Sequence, residues 1–241
     1  MKYAVLGDLH ANLEALEAVL HDAEKQGATH YACTGDLVGY NADPRACLKV
    51  LRTLGCKTVQ GNHDFYACDS SSMELFTPTA RKSIEWTRKQ LTAPQRKYLN
   101  TLPLIKDLEN FTIVHSSLQN PEQWNYIFKA DTAESSFRNQ FSNVCFFGHT
   151  HVPLAFITDG TSMEKGFYKT IRVRPGFKYL VNVGSVGQPR DRDPRTGYVL
   201  YDLEAQTITM RRIEYDIETT QRKIRDAGLP FRNALRLSYG R

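Results

Sequence analysis

Five short apolar runs in this chain end on an aspartate, an asparagine or a histidine, and that recurrence constrains the fold more than any other feature. Tyr3-Ala4-Val5-Leu6 leads to Asp8-Leu9-His10. Residues 29–34 lead to Gly35-Asp36, and Lys57-Thr58-Val59-Gln60 leads to Gly61-Asn62-His63-Asp64. Phe111 to Val114 delivers His115, and Val144-Cys145-Phe146-Phe147 delivers Gly148-His149-Thr150-His151. Runs of this length and composition read as buried strands. Five of the seven histidines fall in these positions, so the strand ends are expected to gather at one edge and line one metal site. Gly61 is expected to let the backbone bend sharply there, because it has no β-carbon.

The order of elements supports a sheet-based fold. A helix is predicted over 13–26, with Leu13, Leu16, Val19, Leu20 and Ala23 on one face, Asn12 as N-cap and Gly27 as stop. Asp43-Pro44 reads as a cap followed by Pro at the first helical position, opening a helix to about Leu54. With the first three strands this gives β-α-β-α-β, which implies parallel strands with helices packed on the sheet. After Asp64 the pattern turns helical over 72–90 and 94–102, the second opened by a capping-box-like Thr92-Ala93-Pro94-Gln95. This segment, about 66–105, reads as a small helical insertion covering one side of the site. A further helix is predicted over 131–140. Strands at 154–158, 166–173, 178–183, 197–203 and 207–213 read as mostly antiparallel, and a helix at 216–227 and a short tail follow. The fold class expected is α+β in four layers, αββα: a two-sheet β-sandwich flanked by helices, with residues 1–241 forming one domain.

Composition removes several functional classes. The 241 residues are enough for a sizeable core, and no apolar run approaches the length of a membrane helix. The chain enters its first strand at once, so no cleaved signal peptide is expected. Cys33, Cys47, Cys56, Cys68 and Cys145 are odd in number and include no CxxC pair. They read as reduced thiols of a cytoplasmic protein, not as a disulfide framework or zinc ligands. A net charge of +5 with scattered basic residues argues against a stable nucleic-acid complex or a membrane surface. Oligomeric state is not legible.

The chemistry follows from the donor types. In an extended stretch residues two apart point the same way, so Asp8 and His10 can reach one ion, and His149 and His151 can both face the site. Carboxylates and imidazoles without thiolates suit divalent ions such as Mn, Fe or Zn. Asp36, flanked by motifs from neighbouring strands, is the natural carboxylate to lie between two ions. Such a site keeps net positive charge, attracts a phosphate and stabilises added negative charge in a transition state. Each piece alone has an ordinary reading: a capping loop for Asp8 and His10, a turn cap for Asp36, a core histidine for His115, a turn residue for Asn62. Their joint occurrence in order, each at a strand end, is what those readings do not supply. His21 and His30 belong to no motif and are assigned to helix surface and strand entry.

The order Asp-x-His, Gly-Asp, Gly-Asn-His-Asp, His, Gly-His-x-His resembles the calcineurin-like metallophosphoesterase superfamily. The motifs span residues 1–151. Gly35-Asp36-Leu37-Val38-Gly39-Tyr40 and Gly184-Ser185-Val186-Gly187-Gln188-Pro189-Arg190 extend the likeness toward its small prokaryotic phosphodiesterase and diadenosine-tetraphosphatase-like branch. The resemblance implies two divalent ions, manganese first, with iron, zinc, nickel or magnesium as alternatives. It implies Asp8, His10, Asp36 and His151 on the first ion, and Asp36, Asn62, His115 and His149 on the second. His63 would protonate the leaving oxygen or stabilise the transition state, and Asp64 would orient its ring. Arg190, Arg192 and Arg195, which follow the Gly184–Pro189 turn, read either as loop surface or as contacts to substrate phosphate, Arg190 first. The implied activity is hydrolysis of phosphate mono- or diesters, nucleotide and dinucleotide polyphosphates among them, by in-line attack of a metal-bound hydroxide. A phosphoprotein phosphatase and a non-catalytic protein-interaction scaffold on the same fold are the alternatives, and retention of His63 and every ligand weighs against the scaffold. A nuclease fits less well, given the small size and mild charge. Two positions depart from the family pattern, Ala11 where Gly is usual and Ser116-Ser117-Leu118 after His115.

Overall fold

The computed structural model describes residues 1–69, 73–74 and 76–241. The chain opens with β1 (Lys2–Leu6), α1 (Leu13–Lys25), β2 (His30–Cys33), α2 (Pro44–Thr53) and β3 (Lys57–Thr58), and the three strands are parallel. Asn12 caps α1 by accepting from the Ala15 N–H at 3.1 Å. Asp43 makes no such bond for α2, because its carboxylate is taken by Lys223 at 2.8 Å, leaving Pro44 alone to set the start. Three helices follow: α3 (Asn62–Cys68), α4 (Pro78–Gln90) and α5 (Ala93–Asn100). The helix predicted over 72–90 begins at Pro78, behind the Thr77 cap, and positions 72 and 75 lie outside the described residues. The capping box of α5 forms, with Thr92 and Gln95 bonding reciprocally.

A hairpin of β4 (Ile105–Leu108) and β5 (Phe111–Val114) leads through α6 (Ala130–Arg138) to β6 (Val144–Phe147). Then come β7 (Leu154–Thr158), β8 (Met163–Phe167), β9 (Thr170–Arg172), β10 (Lys178–Asn182), β11 (Thr196–Asp202), β12 (Thr207–Ile213), α7 (Ile217–Asp226) and α8 (Phe231–Leu237). Sequence pattern misses β4, a short edge strand, and α8, where a tail is expected. It also joins β8 and β9 into one strand, 166–173. The chain breaks at Tyr168-Lys169 instead, and the two halves enter different sheets.

The sheets run β3-β2-β1-β11-β12-β9 and β4-β5-β6-β10-β7-β8. Strand alternation explains how they pack. Tyr3 and Val5 of β1 face the second sheet and join Phe111, Ile113, Phe146 and Val181 in a core between the layers. Ala4 and Leu6 face the other way, against Leu16, Val19 and Ala23 of α1 and Leu48 and Leu51 of α2. On the far side Cys145, Phe147 and Leu180 meet Ala133 and Phe137 of α6. The result is the four-layer αββα sandwich expected. No helix among the described residues is long and apolar enough to cross a membrane.

Candidate metal centre

β1, β2 and β3 in one sheet and β5 and β6 in the other all end at the same edge of the sandwich. The loop after β1 carries Asp8 and His10, and the loop after β2 carries Asp36. His115 follows β5 directly, and His149 and His151 follow β6. Asn62, His63 and Asp64 form the first turn of α3, so the expected sharp turn is a helix start. Asp64 makes it one: its carboxylate accepts the Gly61 N–H at 3.0 Å in capping-box fashion. Gly61 itself has an ordinary φ of −99°, and its requirement is space. A β-carbon there would sit 2.1 Å from Asp36 Oδ1.

The loops converge through strained backbone and not through the extended geometry that the Asp-x-His spacing suggests. Asp8, His10, Asp36, His149 and His151 all have positive φ, between 47° and 66°. Ala11 joins them at 57°, at the position where the resemblance leads one to expect Gly. Non-glycine residues there are strained by ~1 kcal/mol each and collect at functional sites. Cross-bonds hold the loops. Asp8, His10 and Ala11 donate their N–H groups to Gly35, Asp36 and Leu37, and the Asp8 carbonyl accepts from Gly187 N and Ser185 Oγ.

Two donor sets result, and Asp36 belongs to both. Asp8, His10, Asp36 and His151 each present a ligand atom within 4.8 Å of one another, as do Asp36, His115 and His149. Asn62 Oδ1 lies 3.1 Å from His115 Nε2, which places it with the second set. These residues are all buried.

The chemistry of the first set fits a cation. His10 Nδ1 lies 3.0 Å from the Val38 carbonyl and His151 Nδ1 2.6 Å from the Gln188 carbonyl. A carbonyl only accepts, so each Nδ1 carries the proton and each Nε2 bears a lone pair. Burial holds both imidazoles well below their usual pKa, so they stay neutral. Yet the two Nε2 atoms face each other at 3.1 Å, with Asp36 Oδ2 at 3.5 Å and Asp8 Oδ1 at 3.4 Å. Lone pairs and carboxylate oxygens aimed at one point make no hydrogen bond, whereas a divalent cation satisfies all of them. The second set is alike in its contacts but differs in charge, because against its burial the Asp36 carboxylate draws His115 up to about 9. His115 Nδ1 faces the Thr34 carbonyl at 2.8 Å, and its Nε2 faces Asp36, Asn62 and His149.

His63 stands at the mouth of the centre, its ring among His10, Tyr40 and Phe76 at centroid distances of 4.7, 4.6 and 5.3 Å. Burial, with Arg190 and His115 adding to it, pushes its pKa down to about 4 despite Asp36. Asp64 does not orient this ring. Its oxygens accept from the Gly61, Leu37 and Val38 N–H groups, and His63 Nδ1 is buried without a hydrogen-bond partner. Asp64 therefore clamps the Asp36 loop onto α3. Arg190 lies beside Tyr40, its NH2 3.4 Å from the hydroxyl. A cavity of about 650 Å³ opens on Asn62, His63 and His149 and is also lined by Arg190, Arg232 and Arg236. The last two sit on α8. Their i,i+4 spacing, which puts both on one helix face, is the signal that could have found them. Tyr126 is a second addition, stacked on His149 at 4.0 Å.

Comparison with known proteins agrees with this geometry. The calcineurin-like phosphoesterase superfamily domain matches residues 1–206. An uncharacterized protein of Methanocaldococcus jannaschii is 36% identical over 99% of this chain and 98% of its own length. The crystal structure of a metallophosphoesterase from Sphaerobacter thermophilus superposes with a TM-score of 0.90 at 38% identity, covering all of both chains. A symmetrical bis(5'-nucleosyl)-tetraphosphatase of Shewanella baltica is 27% identical over 52% of this chain and 46% of its own.

Proposed function

The chain belongs to the calcineurin-like phosphoesterase superfamily and is a phosphoester hydrolase, and we propose that it works with two divalent ions that share Asp36. The observation that carries this reading is the pair of donor sets, each of buried His and Asp side chains within 4.8 Å of one another, joined by one carboxylate. Asp8, His10, Asp36 and His151 would hold one ion, and Asp36, Asn62, His115 and His149 the other. Seven protein ligands exceed what one ion takes in the usual coordination numbers. Manganese is the first choice, since imidazole with carboxylate and amide oxygen suits a mid-series ion. Ions bound there would supply Lewis-acid charge and lower the pKa of bound water.

The other roles belong to the chain's own residues. His63, at the mouth and not within either donor set, would hold the proton for the leaving oxygen. A bound phosphate, being negative, would favour the protonated ring. Arg190 would neutralise a non-bridging phosphoryl oxygen, with Tyr40 and Gln188 fixing its fork. Asp64 would keep the Asp36 loop in register. Substrates would be small phosphate esters or nucleotides, and the local match to a bis(5'-nucleosyl)-tetraphosphatase brings dinucleoside polyphosphates among them. Five free thiols, three of them buried, fit a cytoplasmic setting.

The test joins metal analysis to turnover. Protein reconstituted with excess manganese should carry two ions per chain and hydrolyse p-nitrophenyl phosphate or bis-p-nitrophenyl phosphate. Asp36→Asn should lower both occupancies together and nearly abolish turnover. One ion or none in the reconstituted wild type would overturn the two-ion reading.

A further inference from the structure

Three guanidinium groups from two remote stretches line the cavity beside the donor sets. Arg190 comes from the loop after β10, and Arg232 and Arg236 from α8. No Asp or Glu side chain among the described residues pairs with any of them, whereas Arg195, Arg211 and Arg212 each hold an aspartate. Arg190 Nε is buried without a hydrogen-bond partner, and Arg236 Nε finds only the main-chain oxygen of Arg241. Arg236 is drawn down to about 10, by burial first and then by the like charges of Arg190 and Arg232. Gathering three cations in one cavity is unfavourable unless an anion belongs there.

Their order matters. Arg190 stands against the centre: it bonds the Tyr40 hydroxyl, whose ring packs on His10 and His63, and Gln188, whose carbonyl holds His151. Arg236 is half-buried on the cavity wall and Arg232 is exposed, so Arg232 is the outermost. A single phosphate at the centre would lie against Arg190. The volume of about 650 Å³ is also far more than one phosphate fills.

We propose that Arg190, Arg236 and Arg232 form an anion track leading out of the metal centre. The track selects phosphate esters that carry further phosphoryl groups beyond the scissile one, in chemical class nucleoside or other polyphosphates. Guanidinium forks match phosphoryl oxygens in geometry as well as charge. α8 lies beyond the residues matched by the family domain, so this selection belongs to the C-terminal part of the chain. Asn233 fixes the helix in place, donating to the Tyr40 carbonyl at 3.0 Å and to Ser83 Oγ at 2.8 Å. The selection rests on the phosphoesterase reading of the donor sets.

The probes are orthophosphate, pyrophosphate and tripolyphosphate, used as competitive inhibitors of p-nitrophenyl phosphate turnover by the manganese-loaded full chain at constant free manganese. Each added phosphoryl group should tighten inhibition, and tripolyphosphate should bind at least about tenfold better than orthophosphate. In Arg232→Gln/Arg236→Gln that ratio should fall toward one, and Arg236→Lys should restore part of it. Equal inhibition by all three anions in the wild type would overturn the track without reference to any variant, as would a double variant that keeps the ratio. Equilibrium dialysis with radiolabelled pyrophosphate and orthophosphate reads the same ratio without turnover. Length-dependent binding without hydrolysis would sink the hydrolytic reading and leave the track standing. Hydrolysis without length dependence would do the reverse.

Discussion

Gly61→Ala tests whether the shared carboxylate is positioned by sterics. Gly61 sits at φ −99°, a conformation alanine adopts freely, so the substitution adds no torsional strain. What it adds is a methyl group 2.1 Å from Asp36 Oδ1 and 2.4 Å from the Asp36 main-chain nitrogen. Ordinary contact begins near 3.4 Å, so Asp36 must retreat by about 1.3 Å. It cannot do so by a rotamer change alone, because its backbone is in the way too. Asp36 Oδ1 also accepts the His63 N–H at 2.8 Å, so α3 moves with it. Site geometry is held to about 0.5 Å in working centres, and a displacement near 1 Å costs roughly 10²-fold in rate. Gly61→Ala should therefore lose about 10²-fold in kcat/KM and weaken both metal occupancies, with a fold cost of about 1–3 kcal/mol from overpacking. Metal content by mass spectrometry after gel filtration, turnover, and a thermal melt read the three effects. Gly166→Ala is the control, since a β-carbon there meets nothing within 4 Å. Full metal occupancy and turnover in Gly61→Ala would refute the steric argument.

His63→Asn should lower kcat by about 10²–10⁴-fold while both ions stay bound. The loss should be larger for alkyl phosphate esters than for p-nitrophenyl esters, whose leaving group needs little help from a proton. Equal losses would reject the leaving-group-acid role, and loss of an ion would make His63 a ligand. The thiols should be dispensable to the chemistry: burial raises Cys47 well above the usual thiol range, and Cys68 is pushed up to about 12. Cys47→Ser/Cys68→Ser should keep turnover within about tenfold while its melting temperature falls, because Cys47 is fully buried against α1 and a hydroxyl there costs about 1–3 kcal/mol. A larger loss of turnover in folded, metal-loaded protein would show that a thiol takes part.

The sandwich was readable because its inner strands are short apolar runs, and the clustering of His and Asp side chains at one edge was readable because each run stops on a residue type that can ligate a metal. What escaped has the opposite character. β4 and β8 are edge strands with mostly exposed or half-buried side chains, so no apolar run announces them. The strand predicted over 166–173 has continuous β propensity, and only the separate pairing of β8 with β7 and of β9 with β12 divides it. α8 is seven residues long, too short for helical period to stand out, and its stability comes from Ala234 and Leu237 packing on Ile224 and Leu229. The Asp64–His63 contact implied by the resemblance fails for a local reason: three backbone N–H groups reach the carboxylate first.

The backbone strain at the centre was the least legible feature, and it bears most directly on how the site is built. Asp8, His10, Ala11, Asp36, His149 and His151 are none of them residues a turn would choose for positive φ over Gly, and together they hold several kcal/mol of strain. That is on the order of a domain's whole net stability of about 5–15 kcal/mol. No single loop could keep such a conformation by local preference. Each is held because others bond to it: the Asp8 loop to the Asp36 loop through three N–H groups, the Asp36 loop to α3 through Asp64, and His149 N–H to the Asp8 carboxylate at 3.0 Å. Gly187 and Ser185 close the set from the far side of the chain. The loops are therefore determined by the edge where two sheets meet and not by their own sequences. Divalent ions bound among acceptor atoms that now face one another would add favourable energy where the backbone is most strained.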